Sequence, residues 1–339
     1  MPTLLVRVPV RLLSALPALF GVLALTFVLM RVLPGDPAGL MASPSASETE
    51  LATIRARLGL DRTIAEQFVL YLGQLARGDL GMSTTSGQPV LSDLAERLPA
   101  SLELVALSFL LAAGISLALG IAAALRPNSA LDHVARLVCT AGVSIPTFVS
   151  GLLLVYVFYY LLGWAPDPTG RIDVFAIQPP DVTGFLLVDS LLARDGAAFG
   201  SALSQLILPA TTLCLFVLAP LTRITRASML SVLESDYVRT AESLGLGRFK
   251  IVVVYALTNA LLPVLTISGT VISSMLGASV LVEKVFAWPG IASYAVDAIM
   301  ASDFAPVQGF VLLMATLYVV VNLTIDLLYG LIDPRVSLS

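Results

Sequence analysis

Few residues of this chain have the types and spacing that catalysis requires. The single histidine, His133, stands in a short basic stretch between Arg126 and Arg136, where we expect a solvated loop position. The two cysteines, Cys139 and Cys214, fall in different apolar runs, in which a free thiol ordinarily behaves as a small hydrophobic group. The sequence contains no phosphate-binding loop, no G-x-S-x-G, no H-E-x-x-H and no C-x-x-C motif. It therefore predicts no catalytic residue, no bound cofactor and no metal site.

Aspartates are the remaining candidates for proton transfer, because an ionisable side chain inside a membrane is energetically expensive and usually functional. Asp326 is the closest case in this sequence. Asn322 precedes it by four residues, so the two side chains share one face of a helix. A proton relay and a packing or capping role at the end of a helix both remain open for Asp326.

A polar segment, 236–259, separates two long apolar runs and has the pattern of a docking element. A helix is predicted over 228–241, with a broad apolar face and a charged face. Gly245 and Gly247 follow, and glycine permits backbone conformations that let a chain reverse its direction. The chain then enters the next apolar run. An amphipathic loop on a membrane surface is the alternative interpretation.

These features belong to an integral membrane protein. Hydrophobic residues make up 57% of the 339 residues and charged residues 12%, against about 25% charged residues in soluble proteins, and the mean hydropathy is +0.92. Because a span needs about 20 apolar residues, we predict an all-α integral membrane protein with six transmembrane helices. The six uncharged runs are Leu12–Met30, Leu104–Leu125, Leu137–Pro166, Ala197–Thr222, Ile251–Val282 and Phe304–Ile325.

The first run is predicted to be an uncleaved membrane helix rather than a signal peptide. Its 19 uncharged residues exceed the usual apolar core of a signal, and Arg31-Val32-Leu33-Pro34 follows instead of a small-residue cleavage site. Basic residues concentrate in short segments on one side of the membrane, which predicts that both termini are cytoplasmic. Acidic residues concentrate on the outer side of the membrane. They either attract a basic partner or keep the outer loops soluble, and we favour the second interpretation.

The fifth run is too long for one crossing. Its 32 residues would span about 48 Å as a helix, against a hydrocarbon core of about 30 Å. We expect a break near Asn259 and Pro263, because proline removes a backbone donor and crowds the preceding turn. Residues 251–259 would then lie outside the bilayer.

Four regions follow from these boundaries: 1–33 with the first membrane helix, 34–99 as an extracytoplasmic loop region, 100–332 as the transmembrane core with a loop at about 223–259, and 333–339 as a cytoplasmic tail. Helical spacing predicts helices over 48–60 and 64–75, split by Gly59 and Asp61. The region 34–99 is expected to be a lid or docking surface without a core of its own. The proline-rich segment 164–197 is expected to be a loop.

Several sequence blocks together carry a family resemblance. In chain order they are Leu33-Pro34-Gly35-Asp36-Pro37, Gly78-Asp79-Leu80-Gly81, Thr225-Arg226-Ala227-Ser228-Met229-Leu230, Asp236-Tyr237-Val238-Arg239-Thr240-Ala241 with Gly245, Asn259-Ala260-Leu261-Leu262-Pro263-Val264, Glu283 with Phe286-Ala287-Trp288-Pro289-Gly290, Asp326-Leu327-Leu328-Tyr329-Gly330 and Asp333-Pro334-Arg335. Spanning nearly the whole chain, they resemble the permeases of binding-protein-dependent ABC importers, whose cytoplasmic signature is the EAA loop. The resemblance is greatest to the first (B-type) subunit of dipeptide and oligopeptide permeases. Arg239 and Thr240 depart from the general E-A-A-x-x-x-G form, and Thr258 stands where relatives often carry arginine.

The resemblance implies a type I ABC importer permease fold with a cytoplasmic coupling helix. This chain would be a non-catalytic permease subunit of the bacterial cytoplasmic (inner) membrane, surrounded by membrane lipids and without a role in nucleic-acid binding. Its implied partners are a second permease subunit, two ATP-binding subunits that hold ATP and Mg, and an extracytoplasmic solute-binding protein. No cofactor is implied for this chain.

The cargo that the resemblance implies is a di- or oligopeptide. Relatives of this group also carry glutathione, nickel complexes or sugars, so these cargoes remain alternatives. A secondary transporter driven by an ion gradient is a competing class, although no inverted repeat is visible in the sequence. An intramembrane enzyme would need a paired catalytic constellation, which the sequence lacks.

Three groups of residues are candidates for function. By the motif match, the residues implied in coupling to an ATPase are Arg239, Ala241, Glu242 and Gly245. Small residues and prolines in the apolar runs are candidates for the translocation path, because they can kink a helix beside a cavity, although they also serve helix packing: Ser144, Pro146, Pro209, Thr212 and Ser273. The candidate outer gate, for which an interfacial aromatic anchor is the alternative, is Trp288, Pro289 and Gly290.

Overall fold

The computed structural model describes residues 2–32, 47–57, 59 and 61–332. Within them the chain is helical apart from turns, irregular segments such as 162–185, and one isolated bridge between Met82 and Pro89. The family block at 33–37 and the predicted tail at 333–339 lie outside the described residues. The helices are α1 (Pro2–Val32), α2 (Glu48–Arg57), α3 (Ile64–Leu75), α4 (Val90–Leu125), α5 (Ala130–Ser144), α6 (Thr147–Leu154, continued by the π-helical segment Val155–Leu161), α7 (Leu186–Leu192), α8 (Gly196–Leu233), α9 (Asp236–Ser243), α10 (Arg248–Val285), α11 (Ile291–Met300) and α12 (Phe304–Ile332).

Five of these helices are long and apolar enough to cross a membrane, and there are six spans if the bent pair α5 and α6 forms one. The spans are Leu13–Arg31, Val90–Leu125, Gly196–Leu233, Arg248–Val285 and Phe304–Leu328, and the bent pair is Ala130–Ser144 with Thr147–Leu161. A hydrocarbon environment favours this architecture, because each helix satisfies its own backbone hydrogen bonds. The prediction of an all-α integral membrane protein is confirmed.

The third predicted membrane helix, over 137–166, needs correction. α5 and α6 meet at an angle of 104° across Ile145 and Pro146. Ile145 has an extended backbone, with φ −96° and ψ 129°. Extended backbone is favoured before proline, because the proline ring clashes with a helical predecessor. The apolar composition predicted the environment of this segment, whereas Pro146 accounts for its bend.

The chain divides into two compact units. The larger unit comprises Ala100–Trp288 with the described parts of Met1–Leu4 and Val320–Ser339. The smaller unit comprises the described part of Leu5–Pro99 together with Pro289–Val319. The smaller unit therefore joins two segments that are far apart in the sequence.

In the smaller unit, the two helices predicted within 34–99 are confirmed as α2 and α3. The turn between them contains Gly59 at a positive φ of 66°. Thr63 and Glu66 form a capping box at the start of α3, in which each side chain accepts a hydrogen bond from the other residue's backbone N–H. Tyr71 stacks on Phe27 of α1 with 5.6 Å between ring centroids. Burial raises the pKa of Tyr71 to about 12, as expected for a phenol within packed structure.

The smaller unit has a core that its two chain segments share. Val90 and Leu94 of α4 pack with Ile291 and Tyr294 of α11. The hydroxyl of Tyr294 donates a hydrogen bond to the carboxylate of Asp93 at 2.8 Å. Burial, and then the neighbouring carboxylate, raise the pKa of Tyr294 above its usual range. The start of α4 therefore relies on α11 to complete its hydrophobic packing.

In the larger unit, α8 packs against α5, α6, α7 and α10. Gly120 permits a close approach of α4 to α8. A Cβ at Gly120 would lie 2.6 Å from Cγ2 of Thr225 and 3.1 Å from the backbone nitrogen of Arg226. Small residues at such crossings let helix backbones approach closely inside a membrane. The same arrangement recurs at Gly151 of α6, where a Cβ would lie 3.3 Å from Cγ2 of Thr212.

The single helix predicted over 228–241 is divided in the structure. α8 continues without interruption to Leu233, and α9 begins separately at Asp236. Met229 near the end of α8 is fully buried and packs with Ala124, Ala256 and Ala260. Residues 228–233 therefore extend a packed membrane helix, because tertiary burial stabilises helices more than local propensity does.

The break predicted near Asn259 and Pro263 does not occur. α10 is continuous over Arg248–Val285, with a π-helical segment at Ile251–Leu257 and Pro263 inside the helix. The side-chain amide of Asn259 donates to the carbonyl of Tyr255, one helical turn earlier, at 2.8 Å. The 38 residues of α10 would span about 57 Å, so its length still exceeds one hydrocarbon core.

The connection between α6 and α8 contains α7, which the prediction of a loop over 164–197 missed. Asp189 of α7 is buried, and its carboxylate accepts hydrogen bonds from the backbone N–H groups of Val182, Thr183 and Gly184 and from the hydroxyl of Thr183. Burial acts to raise the pKa of Asp189, but these hydrogen bonds outweigh it and hold the pKa below its ordinary value. The charged carboxylate therefore organises the segment before α7.

A buried ion pair fastens this connection to α4. The carboxylate of Glu103 accepts hydrogen bonds from the Arg171 guanidinium at 2.7 Å and from the backbone N–H of Leu187 at 2.8 Å. The same Arg171 amino group donates to the carbonyl of Gly184 at 3.0 Å. Both side chains of the pair are largely buried, so loss of one partner would leave an uncompensated charge.

The close approach at Gly120 predicts different responses at two glycines of α4. Gly120→Ala should destabilise the protein by about 1–3 kcal/mol, because overpacking forces neighbouring groups apart. Gly114→Ala should leave stability unchanged or slightly higher, since a Cβ there meets no atom within 4 Å and alanine is the better helix former. Thermal unfolding of the purified proteins measures both effects. Equal unfolding midpoints for the two variants would contradict the close contact.

The pKa of Asp189 predicts an acid-sensitive segment. The stabilisation by the charged carboxylate is present above the ordinary pKa of 3.8 and is lost as the pH falls through the lower folded pKa. The amides of Thr183 and Gly184 should therefore lose protection from hydrogen exchange as the pH falls below the ordinary pKa of 3.8. In Asp189→Asn the same amides should be less protected at neutral pH, with little further change on acidification. An unchanged pH profile in this variant would show that another group controls the segment.

Candidate functional site: the α9 docking element

One face of α9 is packed against the neighbouring helices. Val238 and Ala241 are 1% and 5% exposed, and they form a buried cluster with Ile251 of α10. Val232 of α8 and Leu246 pack against the same cluster. α9 is therefore held by side chains from the helices on both sides of it in the chain, although it has only eight residues.

The turn after α9 ends the helix in a defined way. The N–H of Leu246 donates to the carbonyl of Ala241 at 3.2 Å, and the N–H of Gly245 donates to the carbonyl of Glu242 at 2.9 Å. This pair of bonds is a Schellman motif, which requires a left-handed residue directly after the helix. Gly245 supplies it with φ +74°. A Cβ at Gly245 would meet no atom within 4 Å, so the need for glycine comes from backbone conformation rather than from space.

The opposite face of α9 and the turn are open. Arg239 and Glu242 are exposed, and Arg239 lies 3.7 Å from Asp236 in a solvated ion pair that adds little stability. Leu244 and Phe249, on either side of the Gly245 turn, are 76% and 81% exposed. The element therefore presents both charged and large apolar side chains, a combination that suits a protein interface.

The four predicted coupling residues have different positions in this element. Ala241 lies in the packed cluster, and Gly245 forms the turn. Arg239 and Glu242 are on the open face. The structure thus collects all four in one short helix and its C-terminal turn. It also adds Leu244 and Phe249, which the family motif did not indicate and which only their exposure reveals.

The candidate path residues fall into two environments. Ser144 and Pro146 are exposed at the bend between α5 and α6, where the Ser144 hydroxyl donates to the carbonyl of Thr140 at 2.8 Å. Pro209 and Thr212 are buried in α8. Ser273, on α10, is partly buried and donates to the carbonyl of Gly269.

Thr212 has a packing role within the chain. It is 1% exposed, and its hydroxyl donates to the carbonyl of Leu208 at 2.8 Å. Its methyl group lies in the crossing of α8 with Gly151 of α6. Any effect of Thr212 on a path would therefore be transmitted through this crossing, whereas Ser144 and Pro146 are directly available at a surface.

Comparison with known families connects this geometry to a class of protein. The family described as "Binding-protein-dependent transport system inner membrane component" matches residues 116–338, and "Binding-prot-dependent transport system membrane comp, N-term" matches residues 1–105. The chain belongs to this permease family. Together with its apolar helices, the match identifies a multi-pass membrane protein with the type I ABC importer permease fold.

Individual relatives cover almost the whole permease. It is 43% identical over 323 residues to the Di/tripeptide transport system permease protein DppB of Pseudomonas aeruginosa, with 95% of each chain covered. It is 44% identical over 317 residues to the Probable D,D-dipeptide transport system permease protein DdpB of Escherichia coli, with 94% of this chain and 93% of the relative covered. It is 37% identical over 330 residues to the Dipeptide transport system permease protein DppB of Escherichia coli, with 96% and 97% covered.

The permease buries the tryptophan of its candidate outer gate. Trp288 is 1% exposed, its indole N–H donates to the carbonyl of Ala100 at 2.9 Å, and its backbone N–H donates to the carbonyl of Glu283. Glu283 is itself fully buried and accepts from the hydroxyl of Ser101 at 2.6 Å. An interfacial anchor would present its ring to lipid, so the burial disfavours that alternative. The gate assignment stays a prediction.

The other two residues of the candidate gate belong to the smaller unit of the permease. Pro289 is exposed, and Gly290 is buried directly before α11. Gly290 has an extended backbone, with φ −91° and ψ 179°, which any residue can adopt. No positive φ explains the glycine here.

Sequence reasoning did not predict that several carboxylates are buried and hydrogen-bonded. Asp132, Glu103 and Glu283 are each less than 9% exposed and each has a hydrogen-bond donor. Glu103 and Asp132 lie at or beyond the edges of the predicted uncharged runs, where the sequence gives no signal of burial. No group of three or more His, Cys, Asp or Glu in the described part of the chain has the arrangement of a metal site.

The structure also places His133 and Asp326, the two residues considered singly in the sequence analysis. His133 lies on α5 rather than in a loop, although it is exposed as predicted, and its Nδ1 is 2.8 Å from an amino group of Arg136. The helix begins at Ala130, before the predicted run at Leu137, because Ser129 caps it. The Ser129 hydroxyl accepts a hydrogen bond from the backbone N–H of Asp132. Asp326 is half-buried on α12. The relay and the packing role both stay predictions for Asp326.

The left-handed backbone at Gly245 predicts which of two substitutions impairs transport more. The predicted order is the opposite of the order expected from side-chain size alone. Gly245→Ala should impair ATP-driven transport, because a left-handed non-glycine residue costs about 1–2 kcal/mol. Gly245→Asn should be milder although asparagine is larger, because asparagine tolerates this conformation. Gly247→Ser is the matched control, since Gly247 has φ −63° and precedes a helix. Solute uptake per membrane-inserted copy provides the measurement. An asparagine variant that is worse than the alanine variant would indicate a steric requirement instead.

Proposed function

We propose that this chain is the transmembrane permease subunit of an ATP-driven importer for di- or oligopeptides. In this proposal it forms half of the translocation path and docks an ATP-binding subunit through α9. The single observation that carries the docking role is the division of α9 into a face packed on α8 and α10 and a face open to a partner. The names of the relatives carry the choice of cargo.

The proposal divides the work among separate chains. A second permease subunit completes the path, two ATP-binding subunits hold ATP and Mg, and an extracytoplasmic solute-binding protein delivers cargo. This chain is non-catalytic, which agrees with a sequence that has no phosphate-binding loop. Both termini and α9 lie on the cytoplasmic side, in agreement with the basic residues Arg239, Arg248 and Lys250 around the turn.

Transmission from the ATPase requires a rigid docking element. Val238 and Ala241 fasten α9 to α10 through Ile251 and to α8 through Val232. A displacement of α9 by a closing ATPase therefore moves the ends of two membrane helices together. Packed helices respond by sliding or rotating as bodies, because close-packed contacts resist continuous deformation. Closure with ATP favours the outward-facing state of the path, and hydrolysis restores the inward-facing state.

Arg239 and Glu242 set the register of α9 on the ATP-binding subunit, and Leu244 and Phe249 supply apolar contact beside them. The exposure of these four side chains supports the assignment. Charged side chains at an interface select orientation and partner more than they add affinity, and exposed aromatic residues are frequent anchors.

For the path, we place Ser144 and Pro146 at the surface that faces cargo or the second permease subunit. Their exposure at the 104° bend supports this placement. Pro209, Thr212 and Ser273 act from inside the helix packing, by setting the shape of α8 and α10 beside the path. The outer gate is formed by Trp288, Pro289 and Gly290.

Photochemical crosslinking tests the docking role. A benzoylphenylalanine in place of Glu242 should crosslink to an ATP-binding subunit in membranes of cells that make the complete importer. The matched control is the same probe in place of Phe175, which is 95% exposed in the connection between α6 and α8 and lies on the opposite side of the membrane in this proposal. Mass spectrometry of the adducts identifies the neighbours. An ATP-binding subunit captured from position 175 and not from 242 would reverse the proposed orientation.

Uptake measurements test the cargo. Cells that lack this chain should lose energy-dependent uptake of a labelled dipeptide and regain it with the wild-type chain. Competition by unlabelled tripeptide and pentapeptide defines the length range, while glutathione, a nickel complex and a disaccharide test the alternatives. Peptides should compete, and the other solutes should not. Competition by glutathione, nickel or the sugar alone would leave the importer class intact and replace the peptide assignment.

A further inference from the structure

A buried ion pair links the start of α5 to the last part of α8. Asp132 is fully buried in the first turn of α5. Arg226 of α8 approaches its carboxylate with two nitrogens: Nε lies 2.7 Å from Oδ1, and one terminal amino group lies 2.7 Å from Oδ2. A two-point contact between a guanidinium and a carboxylate fixes relative orientation as well as distance. Arg226 precedes the end of α8 by about two helical turns.

The same carboxylate organises the turn that joins α4 to α5. The backbone N–H of Asn128 donates to Oδ2 of Asp132 at 3.0 Å. Asn128 is left-handed, with φ +59°, and asparagine tolerates this conformation better than most residues. Arg136 is a weaker partner, at 3.5 Å with a side chain that is 51% exposed. Asp132 thus fixes the α4–α5 turn and Arg226 in one arrangement.

α4 contacts α8 next to the ion pair between Asp132 and Arg226. The space beside Gly120 is taken by Thr225 and by the backbone nitrogen of Arg226. The contact places the backbone of α4 directly against the residue whose side chain binds Asp132. Three elements, α4, the α4–α5 turn and α8, therefore converge on Arg226.

Packing continues from this point to the docking element without a gap in the series of contacts. Met229, on the next turn of α8, packs with Ala124 of α4 and with Ala256 and Ala260 of α10. One turn later, Val232 packs on the cluster that holds α9. The ion pair therefore stands at one end of a contiguous set of contacts whose other end is α9.

α8 needs such a restraint because of a proline upstream. Pro220 lies inside α8, where it removes one backbone hydrogen bond and makes the helix easier to bend. The ion pair lies beyond Pro220, on the part of α8 that leads to α9. Without it, motion of α9 would be absorbed by bending of α8 rather than passed to α4 and α5.

We infer that Asp132 is a positioning residue for the ATPase-docking helix, and that it acts through Arg226 by making α4, the α4–α5 turn and the end of α8 move with α9 as one body. The inference rests on the proposed function of α9 in docking an ATP-binding subunit. It adds α4 and α5 to the helices that receive the movement, alongside α8 and α10.

The test separates positioning from the simple cost of a buried charge. The assembled importer is reconstituted in proteoliposomes with its binding protein, and the ratio of peptide taken up to ATP hydrolysed is measured per assembled complex. Asp132→Asn and Arg226→Gln should each reduce assembly, because each leaves an uncompensated group. The double variant should recover assembly, since neither charge remains. Its uptake-to-hydrolysis ratio should nevertheless stay about tenfold below that of the wild type, a typical coupling effect.

Two further variants complete the test. Arg136→Gln should keep the wild-type ratio, because Arg136 contacts the same carboxylate only weakly and from an exposed position. Arg226→Lys keeps the charge but loses the two-point contact, so it should assemble with a reduced ratio. If the double variant fails to assemble, the uptake-to-hydrolysis ratio of Arg226→Lys tests the inference by itself.

A wild-type uptake-to-hydrolysis ratio in the double variant or in Arg226→Lys would overturn the inference. Asp132 would then serve only to neutralise the charge of Arg226. Failure of the wild-type complex to couple uptake to ATP is a different result. It would contradict the proposed function itself, so the two failures are distinguishable.

Discussion

A backbone inside a bilayer must satisfy its own hydrogen bonds, and this requirement shapes the whole structure. It makes long continuous helices the default, as in the 38-residue helices α8 and α10. Each interruption then needs a compensating interaction. Pro146 interrupts the apolar segment between α5 and α6. Outside the membrane spans, Thr63 and Glu66 cap α3, and Gly245 closes α9 with a Schellman motif. The places where helices stop are therefore the places where this chain has a defined local chemistry.

The docking element shows how two such places cooperate. The chain leaves α8 at Leu233 and enters α10 at Arg248, so α9 is held at both ends by helices that are themselves anchored. Burial of Val238 and Ala241 on Ile251 adds lateral packing. An eight-residue helix is too short to be stable in water by itself. Its order depends on tertiary contacts, and in the proposed function those contacts are also the route by which its displacement reaches the membrane helices.

Sequence reasoning predicted the all-α membrane class, five of the six spans as single helices and the turn at Gly245. These features depend on composition and on glycine, which act locally. It was wrong where tertiary packing decides. Pro263 was expected to break α10, yet the helix continues through it, and the helix predicted from 228 is divided because Met229 belongs to the packed end of α8. The pairing of Asp132 with Arg226 joins residues far apart in the chain. No local pattern indicates such a pair.

The departures from the general family motif have a structural meaning. Arg239 and Thr240, which replace its glutamate and first alanine, are both exposed on α9, and Thr258 is exposed on α10. Ala241, which keeps the motif, is 5% exposed in the packed cluster. Substitution at an exposed position changes what a partner meets and leaves the packing intact, whereas substitution in a close-packed cluster disturbs the fold. In this chain the motif therefore has a packed part that seats α9 and an exposed part that faces outward, and in the proposed function the exposed part is the surface that meets the ATP-binding subunit.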